Sequence, residues 1–503
     1  MSPHPTSSLT QMLTLALVAS VSSPLRAADA APAASNASAA PATASANASG
    51  APATTTAAPI NPALTNHLAT PVLPGDERIP YIGKSDPAGN AIRQNQVTGH
   101  VSNYDESKVP PYTLPDPLKL ASGDPVKDAD TWKKLRAPEI LKLYQTEIYG
   151  RIPATAPKVL FEIVSTDPAA MGGTAIHKQL VGHFGGPDGP TMNVSMYLPA
   201  KAAGPVPLVL SISFGFGGGG GAPSPNLSLT DVDPTKPPAA GRGRGPGGGG
   251  GEPVADILAR GYGYAVVNYT EIEKDAVGTS ASVVRKLALA PGQTKPNADE
   301  WGTISAWAWG LSRIMDYLET DKAVDAKRVA IVGHSRLGKT VLWAGASDPR
   351  FNLIFSSQGG ELGSAIGRRD FGETIDDMAQ NFPWQFAGNL QKYAGKWDEM
   401  PVDTHMLISL VAPRPLLITG GTGDQWTDPH GEFLGEVGAA PVYRLLGAKD
   451  LGTTEWPKPE TPLISGDLAY YYHTGPHAIT PADWVVFLNF ADKYWKAAAA
   501  TSK

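Results

Sequence analysis

One stretch constrains this chain more than any other: Arg328 to Thr340, RVAIVGHSRLGKT. A β-branched apolar run, Val329 to Val332, ends in Gly333-His334-Ser335-Arg336-Leu337-Gly338 and passes into helix-forming residues from Lys339 to Ala346. That order of strand, sharp turn and helix is what a nucleophile elbow requires, here as G-x-S-x-x-G, one residue longer after the serine than the usual G-x-S-x-G. The serine at the apex must sit in a strained turn, and the glycines two before and three after it, Gly333 and Gly338, let strand and helix pass closely. Such a turn aims the Ser335 hydroxyl outward from the carboxyl end of a sheet, where α/β folds bind ligands. The pattern alone is weak in a chain with 54 glycines. Strand and helix on the correct sides are what separate it from a plain strand-to-helix turn.

The surrounding elements suit that reading. Asp130 to Ile148 has the apolar spacing of a helix, with Pro138 interrupting it. Val159 to Ser165, Ala175 to Val181 and Met192 to Leu198 read as strands whose connecting turns are too short for crossover helices, so they are expected to be antiparallel. After Pro207 strands and helices alternate. Leu208 to Phe214 and Tyr264 to Tyr269 read as strands, with a short helix at Val254 to Ala259 and a long one at Trp301 to Leu318. After the elbow, Asn352 to Ser356, Pro415 to Thr419 and Val442 to Leu446 read as further strands, and a helix from Pro481 to Lys496 closes the chain. The expected fold is an α/β-hydrolase: a three-layer sandwich with a mostly parallel central sheet and antiparallel N-terminal strands.

Composition excludes several classes. The 503 residues are 42% hydrophobic with a net charge of -6, which gives no field to attract nucleic acid or an anionic membrane. The absence of cysteine rules out disulfides, thiolate chemistry and a lipoprotein anchor. Met12 to Val21 is an apolar run too short to span a membrane, followed by small residues at cleavable spacing. We therefore expect a signal peptide over 1–30, an Ala/Pro/Ser-rich linker over 31–63 and a catalytic domain over 64–503, in an exported protein that is periplasmic or secreted. Two glycine tracts, Gly217 to Gly221 and Gly241 to Gly251, read as a surface insertion over 215–253. Its two arginines are too few for an RNA-binding arginine-glycine segment. No nucleic-acid or membrane partner is expected, and a monomer is.

A serine hydroxyl needs a base to take its proton and an acid to orient that base, in the chain order Ser, acid, His. His405, His430, His473 and His477 follow Ser335. His477, in the turn Thr474 to Ala478 before the closing helix, is placed to reach back over the sheet edge, whereas His473 belongs to a tyrosine-rich run that packs or lines the cleft. Their i, i+4 spacing resembles a zinc helix, but glycine and proline between them oppose a helix and no glutamate follows the first, so no metal is expected. For the acid, Asp424 and Asp428 both follow the strand ending at Thr419. Asp424 stands in a G-T-x-D setting at the strand end, and Asp428, before a proline, suits a turn cap.

With these positions in hand the chain resembles the bacterial glucuronoyl esterases, carbohydrate esterase family 15. The residues that carry the resemblance are Gly333-His334-Ser335-Arg336-Leu337-Gly338-Lys339, Trp301-Gly302, Arg368 to Glu373, Asp424-Gln425-Trp426 and Gly475-Pro476-His477. The resemblance implies hydrolysis, without cofactor or metal, of esters between 4-O-methyl-glucuronic acid of glucuronoxylan and lignin alcohols. It further implies Ser335 as nucleophile, His477 as base, Arg336 as oxyanion donor, and Lys339, Glu373 and Trp426 as the residues that hold the uronate. In many members the acid stands at the position of Gln358, and an amide cannot replace it; other members use an aspartate that falls on Asp424, with Glu361 as the alternative acid. Other carbohydrate esterase activity, such as acetyl xylan esterase, and a catalytically silent carbohydrate-binding protein of the same fold remain as alternatives.

Overall fold

A computed structural model describes residues 81–215, 227–238, 251–278 and 282–501. The expected signal peptide and linker lie outside the described residues, as do both glycine tracts apart from Gly251.

Alternating side chains organise the molecule. In β6 (Val206–Ser213), Leu208, Leu210 and Ile212 pack into one buried cluster, while Val209 packs into another on the opposite face. β8 (Val324–His334) repeats the division, with Val329 and Ile331 on the first side and Ala330 and Val332 on the second. So do β9 (Leu353–Ser357), β10 (Leu416–Gly421) and β11 (Leu468–His473). Strands apolar on both faces must be covered on both faces, and helices do so. α1 (Ala137–Leu143), α3 (Thr303–Leu318), α4 (Arg336–Ser347), α5 (Ile375–Asn381), α6 (Thr404–Val411) and α7 (Pro429–Leu445) supply buried residues to the first cluster. α2 (Val254–Ala259) and α8 (Pro481–Thr501) supply the second through Val254, Ile257, Trp484, Phe487 and Phe490.

Among the described residues the sheet has nine strands in the order β11-β10-β9-β8-β6-β7-β5-β4-β3, where β7 is Gly263–Asn268. The six from β11 to β7 are parallel, and β5 (Thr191–Pro199), β4 (Ala175–Phe184) and β3 (Val159–Ala169) join antiparallel. The expected antiparallel lead-in and parallel body are therefore present. A separate hairpin, β1 (Tyr81–Ser85) and β2 (Ala91–Arg93), lies in the N-terminal arm.

One expected strand is a helix. Val442 to Leu446 continues α7, in which Phe433, Glu436, Ala439, Ala440, Val442 and Tyr443 are buried at helical spacing. The run is short and apolar, and Pro441 inside the helix masks the longer period that would have shown it. The tyrosine-rich β11 takes the parallel place beside β10 instead.

Candidate active site

The nucleophile elbow forms where β8 runs into α4. Ser335 has φ 59° and ψ −129°, a conformation that costs a non-glycine residue on the order of 1–3 kcal/mol. Its amide donates to Ser357 O at 2.8 Å and its carbonyl accepts from Lys339 N–H at 3.1 Å, which pin it between β9 and the new helix. The flanking glycines are sterically required: a Cβ on Gly333 would lie 2.2 Å from Leu337 O, and one on Gly338 2.8 Å from Ser357 O.

Two further strands end at the same edge of the sheet. The turn after β10 carries Asp424 and the segment after β11 carries His477, whose Nδ1 lies 2.5 Å from Asp424 Oδ2. The His477 side chain is 40% exposed and that of Asp424 6%. Thr427 donates its hydroxyl to the same carboxylate oxygen at 2.7 Å. Burial opposes the charge of Asp424, but the attraction and hydrogen bond of His477, aided by Thr427 and His473, outweigh it and hold the carboxyl below its ordinary value. A carboxylate only accepts, so Nδ1 of His477 carries the hydrogen and Nε2 keeps a lone pair. The His477 ring lies 4.3 Å from that of His334, the neighbour of Ser335.

The other acids and histidines are engaged elsewhere. Asp428 pairs with Arg369 Nε at 2.8 Å and caps α7 through Gly431 N–H at 2.9 Å. The Glu361 carboxyl is buried against its neighbour's Leu362 N–H at 3.0 Å and beside Gly367, and burial, then Asp403 and Glu373, push it well above the usual carboxylate range. His405 bonds Pro115 O at 2.7 Å and His430 bonds Glu106 at 3.0 Å while stacking on Trp456. Gln358, directly after β9, stands in the left-handed region at φ 48°, its amide N–H held by Thr419 O at 2.8 Å.

Beside Ser335, the first turn of α4 projects two cations. Arg336 pairs through Nη1 with buried Asp275, which also accepts from Trp384 Nε1 at 2.7 Å and Gln385 Nε2 at 2.9 Å. Lys339 is buried and donates to Glu373 Oε1 and to Gly359 O, both at 2.7 Å. Glu373 is tied in turn to Trp426, whose carbonyl accepts its N–H at 2.7 Å, and the Arg93 guanidinium lies 4.9 Å from the Trp426 ring centroid. The three residues assigned to the uronate thus form one line. Asp275 and Arg93 were missed: neither belongs to a motif, and a lone aspartate shortly after β7 is the only trace of the first.

The family profile described as "Glucuronyl esterase, fungi" matches residues 295–447. Carbohydrate esterase MZ0003, from an unknown prokaryotic organism, is 40% identical over 404 residues, which cover 79% of this chain and 93% of that protein. The chain belongs to the glucuronoyl esterases, carbohydrate esterase family 15. A solved glucuronoyl esterase from Solibacter usitatus superimposes on this family member with a TM-score of 0.69 at 44% identity, over 77% of this chain and all, 100%, of the other. The 4-O-methyl-glucuronoyl methylesterase 1 of Wolfiporia cocos is 34% identical over 157 residues, 29% of this chain and 38% of its own length. As a glucuronoyl esterase the chain is a carboxylic ester hydrolase. Among the described residues no helix is long and apolar enough to cross a membrane.

Proposed function

We propose that this glucuronoyl esterase cleaves the ester between (4-O-methyl-)glucuronic acid of glucuronoxylan and lignin alcohols, with Ser335, His477 and Asp424 as its triad. The observation that carries the reading is the His477–Asp424 pair at the edge of the sheet where the elbow presents Ser335, with the Lys339–Glu373–Trp426 line alongside.

His477 Nε2 takes the Ser335 proton, and the oxygen attacks the uronoyl carbonyl. Negative charge then develops on the carbonyl oxygen beside Arg336, whose guanidinium Asp275 holds in place. His477 returns the proton to the departing alcohol, and water repeats the path on the acyl-enzyme. Lys339 offers donors and Glu373 acceptors for sugar hydroxyls, and Trp426 offers a ring face or edge. Because Lys339 and Glu373 already satisfy each other, the pair is rigid before substrate arrives.

The test is hydrolysis of benzyl glucuronate compared with an acetylated xylose. Turnover of the first, lost in Ser335→Ala, supports the reading. Turnover of the acetyl ester alone would replace the substrate class while keeping the triad, and turnover of neither would favour a silent carbohydrate-binding protein.

A further inference from the structure

The segment that carries His477 leaves β11 at His473 and enters α8 at Pro481, with Asp483 in the first turn of that helix. Its ends are joined directly: His473 Nδ1 lies 2.9 Å from Asp483 Oδ1, and both residues are buried. The second oxygen of Asp483 accepts from Thr480, at 2.6 Å from the amide and 2.8 Å from the hydroxyl. The other ring nitrogen, His473 Nε2, faces the carbonyl oxygen of Pro476 at 3.5 Å, immediately before His477. Gln358 Nε2 reaches the same oxygen at 3.5 Å.

Other bonds hold the turn from below. Gly423 N–H donates to Gly475 O at 2.8 Å, Thr422 N–H to His473 O at 2.9 Å, and Thr474 N–H to Glu460 at 2.6 Å. β10 passes beneath at Gly421, where a Cβ would lie 2.6 Å from Gln358 Nε2 and 3.0 Å from both His473 Nε2 and Gly475 O. Only hydrogen at that position lets the three groups converge.

Both ring nitrogens of His473 therefore point at oxygen acceptors. A neutral imidazole has one N–H and can serve one of them; an imidazolium serves both. We propose that His473 is a buried imidazolium which, with Asp483, staples the two ends of the 473–483 segment and, through the Pro476 carbonyl, fixes where His477 stands. It is a positioning residue that touches neither substrate nor Ser335, and the inference rests on His477 being the general base.

The charged and titratable groups facing the ring are Asp483 from α8, Asp424 from the turn after β10, His334 from the end of β8, and Tyr471 from β11 itself, its ring 6.3 Å away. Burial opposes a charge on His473, but Asp483, the Pro476 carbonyl and Asp424 outweigh it and raise the ring above the ordinary histidine value. A raised histidine contributes fully below that ordinary value, and its contribution is lost as pH rises through the folded value. The staple should therefore fail on the alkaline side.

The experiment measures kcat and KM of wild type, His473→Gln and Asp483→Asn on benzyl glucuronate and on phenyl acetate across pH, with thermal melting of each. Misplacing the base by about 1 Å predicts a kcat loss on the order of 10²-fold, with KM little changed, on both esters. The wild type should also show an alkaline fall in kcat that His473→Gln lacks. A folded His473→Gln with wild-type kcat, or with the same alkaline fall, would overturn the proposal. If neither variant folds, nitrogen NMR of the wild-type histidine rings decides: two N–H groups on His473 at neutral pH support the imidazolium, and one contradicts it. A wild type that cleaves phenyl acetate but spares benzyl glucuronate would sink the uronate reading and leave the kcat comparison on phenyl acetate to judge the staple.

Discussion

Lys339 and Glu373 bury opposite charges within 2.7 Å of each other, an arrangement that is poorly explained by stability alone, because taking two ions out of water costs about as much as their attraction returns. Removing one partner is far worse than removing both. Lys339→Met should destabilise the protein by about 3–5 kcal/mol, since it leaves the Glu373 charge buried and unpaired, and urea unfolding measures this directly. Arg336→Met should lower kcat by about 10²-fold, as loss of an oxyanion donor does, while KM stays near the wild-type value; steady-state kinetics on benzyl glucuronate would show a KM effect instead if Arg336 merely bound substrate. At this scale the sequence was most legible where residues are contiguous. Ser335, Arg336 and Lys339 share one strand-turn-helix string, and Asp424 and His477 follow strand ends. Asp275 was not legible, because its role exists only once the segment after β7 meets the first turn of α4.

Helix α7 shows what local pattern hides. Its Val442 to Leu446 end is as apolar as a strand, and only the full buried series from Phe433 to Tyr443 reveals the helical period. The same helix buries Glu432 and Glu436, and neither oxygen of Glu436 has a hydrogen-bond partner among the described residues. Burial, then the neighbouring Glu432, push Glu436 well above the ordinary carboxylate value. A raised acid binds more protons folded than unfolded, so its contribution to stability falls as pH rises above the ordinary glutamate value. Unfolding free energy of Glu436→Gln minus that of wild type should therefore increase from pH 5 to pH 8, by up to about 1.4 kcal/mol for each unit through which the native acid stays protonated. A difference independent of pH would show that Glu436 is ionised in the fold.

Across the whole molecule, alternation of strands and helices was enough to anticipate the layered sheet and its antiparallel lead-in. It gave no view of the N-terminal arm. The arm clamps the loop leading to Glu373: Asn103 bonds Asp370 O at 3.0 Å and accepts from Gly372 N–H at 2.9 Å, and His100 pairs with Asp370 at 2.6 Å. Glu106 adds bonds from Arg369 at 2.7 Å and His430 at 3.0 Å. Burial opposes its charge, but His430 and Arg369 outweigh it and bring its pKa down to about 2. A lowered acid contributes above its unfolded value and loses that contribution as pH falls towards about 2. Glu106→Gln should accordingly lower the melting temperature at pH 7 and converge on wild type in strong acid, by a modest amount because the side chain is half-exposed; an equal deficit at both ends would refute the ion-pair account.

The most direct test of the central claim is hydrolysis of benzyl glucuronate by wild type, Ser335→Ala, Asp424→Asn and Glu361→Gln side by side. The account predicts turnover by wild type, none by Ser335→Ala, a fall in kcat of about 10⁴-fold for Asp424→Asn and near-normal kcat for Glu361→Gln. A wild-type rate in Asp424→Asn, or a collapse in Glu361→Gln with the fold intact, would contradict the triad; an inert wild type would contradict the function.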